Sequence, residues 1–149
     1  SEDIFASLQP QTKLRAVTGA GVIDALLKPH NLPMAICTVG GAQARALERQ
    51  SDSAALNYAL TGLAEVFGPA VTAAFVKGKT TRWGADPWSA GAIAYARPGK
   101  AGARMVLNGL SGRLRLAGEA LGGPWAGQVS GAYLSGRDSA MLLWRDLTG

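Results

Sequence analysis

The stretch GRLRLAGEALGGPWAGQVSGAYLSG, residues 112–136, decides the fold that the sequence predicts. Residues 113–118 alternate between polar and apolar side chains, as a half-buried strand does. Glu119 follows at once, and a glycine-rich loop then leads to a helix predicted from Val129, where small or apolar residues recur at helical spacing. This order of strand, carboxylate, flexible loop and helix indicates a ligand site, for which a strand–loop–helix corner with an ordinary surface glutamate is the alternative.

Outward from this stretch, the sequence predicts short helices and strands without a regular βαβ repeat. The clearest helix begins at Ser51 and Asp52, carries apolar residues at helical spacing to Phe67, and ends at Gly68 and Pro69. Residues 1–33 are expected to be irregular. The remaining predictions are a strand over 34–41, helical turns over 42–50, strands over 71–83 and 92–96, a turn over 86–91 and an exposed basic loop over 97–104.

Composition and charge limit the class of protein. The 149 residues are 48% hydrophobic, enough for a core, and no apolar run reaches the roughly 18 residues of a membrane span. The net charge of +5 lies in the second half, since residues 75–149 carry ten Lys and Arg against four Asp and Glu. By charge alone a solvated basic face is favoured over a surface that attracts a phosphate-bearing ligand or an acidic partner. Nucleic acid is not an expected partner, because the basic residues are scattered singly and no nucleic-acid motif is present.

The single cysteine, Cys37, rules out an internal disulfide framework and favours a reducing compartment, so we expect a cytoplasmic protein. Its place in MAICTV predicts a buried strand residue. The opening residues lack a basic segment followed by an apolar one, and no signal peptide is expected.

Several common sites are excluded by their missing residues. The GAG at 19–21 suggests a dinucleotide loop, but Asp24 occupies the position of the third glycine, so we expect a plain glycine turn. His30, the only histidine, is expected to be exposed and cannot form a usual zinc site with one distant cysteine. The sequence also contains no GxSxG, HExxH or CxxC motif.

The chemistry of residues 118–129 suits a sugar-bearing, flat ligand. A carboxylate at a strand end, here Glu119, can accept bonds from two hydroxyl groups of a ribose or ribitol chain. The glycines at 122, 123 and 127 let backbone approach such a ligand closely. A helix beginning at Val129 directs free N–H groups and its positive dipole end towards the same place.

Residues 112–140 resemble the C-terminal flavin segment of the FAD-dependent amine oxidases, which include monoamine oxidases, polyamine oxidases and flavin-dependent histone demethylases. TRWGADPWSAGAIAY, residues 81–95, resembles a second motif of that family, a tryptophan followed by Asp-Pro-aromatic and a small-residue turn. Residues 33–68 resemble the strand and helix that precede these motifs. The resemblance covers about residues 33–144.

The resemblance implies a role for each matching position. Gly118 and Glu119 would hold the sugar or ribitol part of FAD, and the Val129 amide would face the flavin pyrimidine carbonyl. The implied cofactor-binding set is Gly118, Glu119, Gln128, Val129, Trp83, Trp88 and Ala132, for whose tryptophans core packing is the alternative. Ile93 and Gln128 stand where many members carry the two aromatic residues of the substrate cage. Ala92 stands where monoamine oxidases have a flavin-linking cysteine, which implies non-covalent FAD.

The resemblance also implies what is lacking. The family's diphosphate-binding GxGxxG is absent, and neither its lysine near flavin N5 nor any other catalytic residue can be assigned. We therefore expect an α+β chain with a mixed sheet, completed by a larger flavoprotein subunit that carries the Rossmann half. The predicted divisions are an irregular segment 1–32, a substrate-domain part 33–104 and a FAD-domain part 105–149.

The expected function is that of a small subunit or C-terminal part of an enzyme that oxidises a small amine to an imine. A non-catalytic regulatory subunit and a flavin amino-acid oxidase remain the alternatives.

Overall fold

A computed structural model describes residues 3–108 and 114–148. The chain divides into two compact units, of which the first runs to Trp88 and the second begins at Ser89. Among the described residues, no helix combines the length and the apolar character that crossing a membrane requires.

The first unit is built on an antiparallel sheet of three strands in the order β1-β2-β3. The strands are β1 Thr12–Thr18, β2 Gly21–Leu27 and β3 Ala35–Thr38. β1 and β2 form a hairpin whose register pairs Val17 with Val22, and the GAG sequence supplies its turn and the start of β2. The expected glycine turn is thus confirmed, as is a strand within 34–41, which the structure limits to Ala35–Thr38.

The prediction of an irregular segment over residues 1–32 is wrong, because the hairpin occupies much of it. Lys13 and Arg15 are charged residues that an apolar strand would not contain, yet both lie on the exposed face of β1. Arg15 is matched across the hairpin by Asp24, with Nε 2.6 Å and Nη2 2.8 Å from the two carboxylate oxygens. Cross-strand pairs of opposite charge stabilise a sheet, so the charges favour the strand here.

Three helices follow the sheet: α1 Gly41–Glu48, α2 Asp52–Phe67 and α3 Ala70–Ala74. The Ser51 hydroxyl accepts a hydrogen bond from the Ala54 amide at 3.2 Å, a typical N-cap, and Gly68 ends α2 with a positive φ of 87°. The predicted bounds of α2 are confirmed. The strand predicted over 71–83 is wrong, because Pro69, with φ −66° and ψ −16°, starts α3 before the chain becomes irregular at 75–82.

The core of the first unit lies between one face of the sheet and α2. Its buried members are Phe5, Ile23, Ala25, Leu27, Leu63 and Val71. Gly62 of α2 allows the helix to approach the sheet, because a Cβ there would lie 2.3 Å from Ile23 Cδ1. Cys37 is half-buried and packs against this core.

The second unit contains α4 Ala103–Asn108, two 3-10 turns at Glu119–Leu121 and Gly123–Trp125, and α5 Val129–Thr148. The start of α5 at Val129 is confirmed. No strand occurs in residues 89–108 and 114–148, so the strands predicted over 92–96 and, within the described residues, 114–118 are wrong. A strand needs a neighbour for its backbone hydrogen bonds, and the described residues of this unit provide none.

The α+β class is confirmed by this combination of helices and a small sheet. The described sheet is wholly antiparallel rather than mixed. Completion by a partner chain stays a prediction, as do the substrate-domain part 33–104 and the FAD-domain part 105–149.

Candidate functional site

The Glu119 carboxylate is the centre of the candidate site in the second unit. Its Oε1 accepts a hydrogen bond from the Ala94 amide at 2.6 Å, and its Oε2 accepts one from the Gly127 amide at 2.9 Å. The side chain is half-buried and begins the first 3-10 turn. One side chain therefore bridges two backbone segments that are distant in sequence.

Gly118 is fixed against α5 by Ser135, which sequence reasoning missed. The buried Ser135 hydroxyl accepts a hydrogen bond from the Gly118 amide at 3.0 Å, and it lies 2.9 Å from the Gly118 carbonyl oxygen and 3.0 Å from that of Ala132. Gly118 has φ 147°, which side chains rarely adopt, and the space where its Cβ would lie is open. The signal for Ser135 was its place among the small residues of α5, which is ambiguous without a structure.

The glycine-rich loop lies directly against the first turn of α5. A Cβ on Gly131 would lie 2.2 Å from the Trp125 carbonyl oxygen, and one on Gly122 would lie 2.5 Å from the Gly131 Cα. This backbone contact holds the loop beside the helix N-terminus. Ala132 is half-buried in the same first turns of α5.

The N-terminus of α5 is accessible at Val129, a residue that is 88% exposed. The first N–H groups of a helix have no partner within the helix, and they carry the positive end of its dipole. Gln128 is exposed immediately before Val129, and its amide donates to the Trp125 carbonyl at 3.1 Å. The arrangement can receive a carbonyl oxygen or a negative charge.

Ile93 lies beside the turn that carries Gln128. The residue is 67% exposed, and a Cβ on Gly127 would lie 3.6 Å from Ile93 Cγ2. The structure thus brings Ile93 close to the backbone next to Gln128.

Trp83 and Trp88 belong to the first unit, whereas the other six predicted site residues belong to the second. Trp83 is 50% exposed and Trp88 is 95% exposed, so neither is an ordinary core residue. The Asp86 carboxylate accepts a hydrogen bond from the Trp88 amide at 2.8 Å, which accounts for the aspartate of the Asp-Pro-Trp motif as a turn-former.

The donor and acceptor groups of the second unit fit part of a flavin dinucleotide. A half-buried carboxylate can accept from sugar hydroxyls, the space beside Gly118 is open, and the α5 N-terminus can offer donors to a flavin carbonyl. No cluster of His, Cys, Asp or Glu able to hold a metal ion occurs in the part of the chain that the structure describes. His30 lies exposed in a left-handed turn conformation, with φ 53°.

The sequence model of the family described as flavin containing amine oxidoreductase matches residues 6–143. Lysine-specific histone demethylase 1 homolog 2 of Arabidopsis thaliana is 33% identical over 116 residues, which cover 74% of this chain and 16% of that protein. Lysine-specific histone demethylase 2 of Homo sapiens is 26% identical over 136 residues, which cover 90% of this chain and 16% of that protein. The chain therefore spans about one sixth of the length of these relatives.

Proposed function

This chain belongs to the flavin-containing amine oxidoreductase family, and we propose that it is the part of such an enzyme that closes the flavin site and forms one wall of the substrate pocket. The observation that carries the proposal is the corner formed by Gly118, Glu119 and the N-terminus of α5, within a chain that the family model matches almost throughout. The rest of the enzyme is supplied by sequence outside these 149 residues.

In this proposal FAD binds non-covalently, and its sugar chain and its flavin ring contact different residues of this chain. The Glu119 carboxylate accepts from hydroxyls of the sugar or ribitol chain, for which Gly118 leaves room. The Val129 amide, with Gln128 and Ala132 beside it, faces the flavin pyrimidine. Trp83 and Trp88 are assigned by the family resemblance to the ring system, and their exposed side chains are free to pack against a ligand.

FAD held by these residues would supply the hydride acceptor for oxidation of an amine to an imine. This chain contributes orientation and shape rather than an acid or a base. Ile93 and Gln128 form the pocket wall, where their exposed side chains leave a less aromatic surface than many members have. Because both relatives are named lysine-specific histone demethylases, methylated lysine is the first amine to test.

The proposed partner is a flavoprotein portion that carries the Rossmann half, either as a second subunit or elsewhere in the same polypeptide. Residues 114–117 support this, because they are irregular in the structure although their side chains alternate as in a strand. A neighbouring strand in the partner would complete them. Exposed apolar side chains on α5, namely Tyr133, Trp144 and Leu147, provide surface that such a partner would cover.

A non-catalytic subunit of the same fold is the second candidate. The absence of aromatic residues at positions 93 and 128 favours it, since the family's amine cage is then incomplete.

The test is the absorbance spectrum of the full-length protein, purified with any partner that copurifies. We expect a flavin spectrum that anaerobic addition of methylated lysine or another amine bleaches. Replacing Glu119 by Ala should weaken FAD binding by roughly 1–3 kcal/mol, because a charged acceptor is lost. A colourless protein would refute the flavin site, and a flavin that no amine reduces would favour the non-catalytic subunit.

A further inference from the structure

We propose that Glu119 is a positioning residue for the substrate pocket, which fixes the distance between the backbone segments that carry Ile93 and Gln128. This inference rests on the proposed function for the identity of the pocket wall. It adds a role for Glu119 that is distinct from contact with the cofactor.

Glu119 accepts one hydrogen bond from each of these two segments, and we call this pair of hydrogen bonds the Glu119 clamp. Oε1 receives the Ala94 amide at 2.6 Å and Oε2 receives the Gly127 amide at 2.9 Å, and each donor is the immediate neighbour of a proposed wall residue. The clamped segments also approach each other directly, since a Cβ on Gly127 would lie 3.6 Å from Ile93 Cγ2. Moving either amide therefore moves one wall relative to the other.

Neither segment is held by regular secondary structure. Residues 94–97 are irregular, and residues 126–128 form a turn in which Gly127 has φ 81°. On the other side of Ala94, the Arg104 guanidinium donates to its carbonyl oxygen at 2.9 Å. Charged side chains thus hold Ala94 at both its amide and its carbonyl, in place of the sheet partners that would normally do so.

The clamp leaves Glu119 able to meet a ligand as well. An ionised carboxylate offers about four acceptor positions, and the two amides occupy two of them. A sugar hydroxyl bound at the remaining positions would contact the same Glu119 carboxylate that fixes the two segments of the pocket wall. Glutamine retains one acceptor oxygen, and aspartate retains both but is one methylene shorter. Neither can therefore accept from the Ala94 and Gly127 amides as glutamate does.

The experiment compares Glu119→Gln, Glu119→Asp and wild type in the full-length flavin-loaded protein. Hydrogen exchange, read at single residues by mass spectrometry, measures the Ala94 and Gly127 amides. We expect exchange at one or both amides to rise about tenfold in each variant, since bonds to a charged acceptor are lost. Glu65→Gln is the matched control, because Glu65 accepts from the Gly19 amide at 2.8 Å in the first unit and should affect that amide alone.

Steady-state kinetics on the variants that retain flavin separate positioning from cofactor binding. We expect KM for the amine to rise several-fold more than kcat falls, because the pocket wall moves while the flavin stays in place. Unchanged exchange at both amides in both variants would overturn the clamp. Loss of flavin together with wild-type exchange would also overturn it, because Glu119 would then be a ligand of the cofactor only. The proposed function fails separately, if the wild type itself binds no flavin.

Discussion

Arg82 donates two hydrogen bonds to a single carboxylate oxygen of Asp52, from Nε at 3.1 Å and from Nη2 at 2.7 Å. These two bonds join the motif of residues 81–95 to Asp52, the first residue of α2. A further hydrogen bond lies on the other side of Trp83, where the Gly84 amide donates to Glu48 Oε1 of α1 at 2.9 Å. A segment without regular structure is thereby fixed on both sides of an exposed tryptophan.

Replacing Asp52 by Asn should loosen residues 80–86, because the ion pair with Arg82 is lost while the helix start is kept. We expect faster hydrogen exchange in this segment and little change elsewhere. Asp138→Asn is the control, since it removes an exposed pair between the adjacent residues Arg137 and Asp138 within α5. The assignment of Asp52 as an anchor is wrong if both variants exchange alike over 80–86.

Stability should fall in acid partly through Asp24 and Asp52. Hydrogen bonds from Arg15 and Arg82, respectively, hold the pKa of each carboxyl below its usual 3.8. The unfolded chain then binds more protons, so this stabilisation is present above pH 3.8 and is lost as the pH falls through the lower folded-state values. Urea unfolding at a series of pH values should show a shallower acid decline for the Asp24→Asn, Asp52→Asn double variant; an equal decline would contradict the prediction.

Gly131 and Gly136 of α5 should respond oppositely to alanine. Gly131→Ala forces a methyl group against the Trp125 carbonyl oxygen and should lower the free energy of unfolding by about 1–3 kcal/mol. Gly136 has open space at its Cβ position, so Gly136→Ala should raise stability by roughly 0.5–1 kcal/mol through helix propensity. Urea unfolding measures both, and equal effects would refute the close contact at Gly131.

The Cys37 thiol should react slowly with alkylating reagents in the folded protein. Its burial raises the pKa of the thiol above the usual 9.0, and the thiolate is the reactive form. Mass spectrometry of the Cys37 peptide should show alkylation that increases steeply only in alkaline buffer, and that becomes fast in urea at the same pH. Rapid alkylation of the native protein at neutral pH would show that the thiol is accessible and unperturbed.

Local signals were enough to predict the elements with strong boundaries. Ser51, Gly68 and Pro69 mark both ends of α2, and the glycine-rich loop before Val129 marks the start of α5. β1 was missed because Lys13 and Arg15 appear unfavourable until the opposite strand supplies Asp24. α3 was mistaken for a strand because its five residues are too few to display a helical period.

The sequence by itself determined the family, the glutamate that follows Gly118, and the helix that begins at Val129, because each depends on residue types at short, fixed spacing. Only the tertiary structure decided what Glu119 touches. The Ala94 and Gly127 amides belong to the backbone, which every residue type shares, so no pattern of side chains could reveal them as its partners. Whether residues 114–117 form a strand likewise depends on the tertiary structure, because alternating side chains favour a strand but only a neighbouring backbone can complete one.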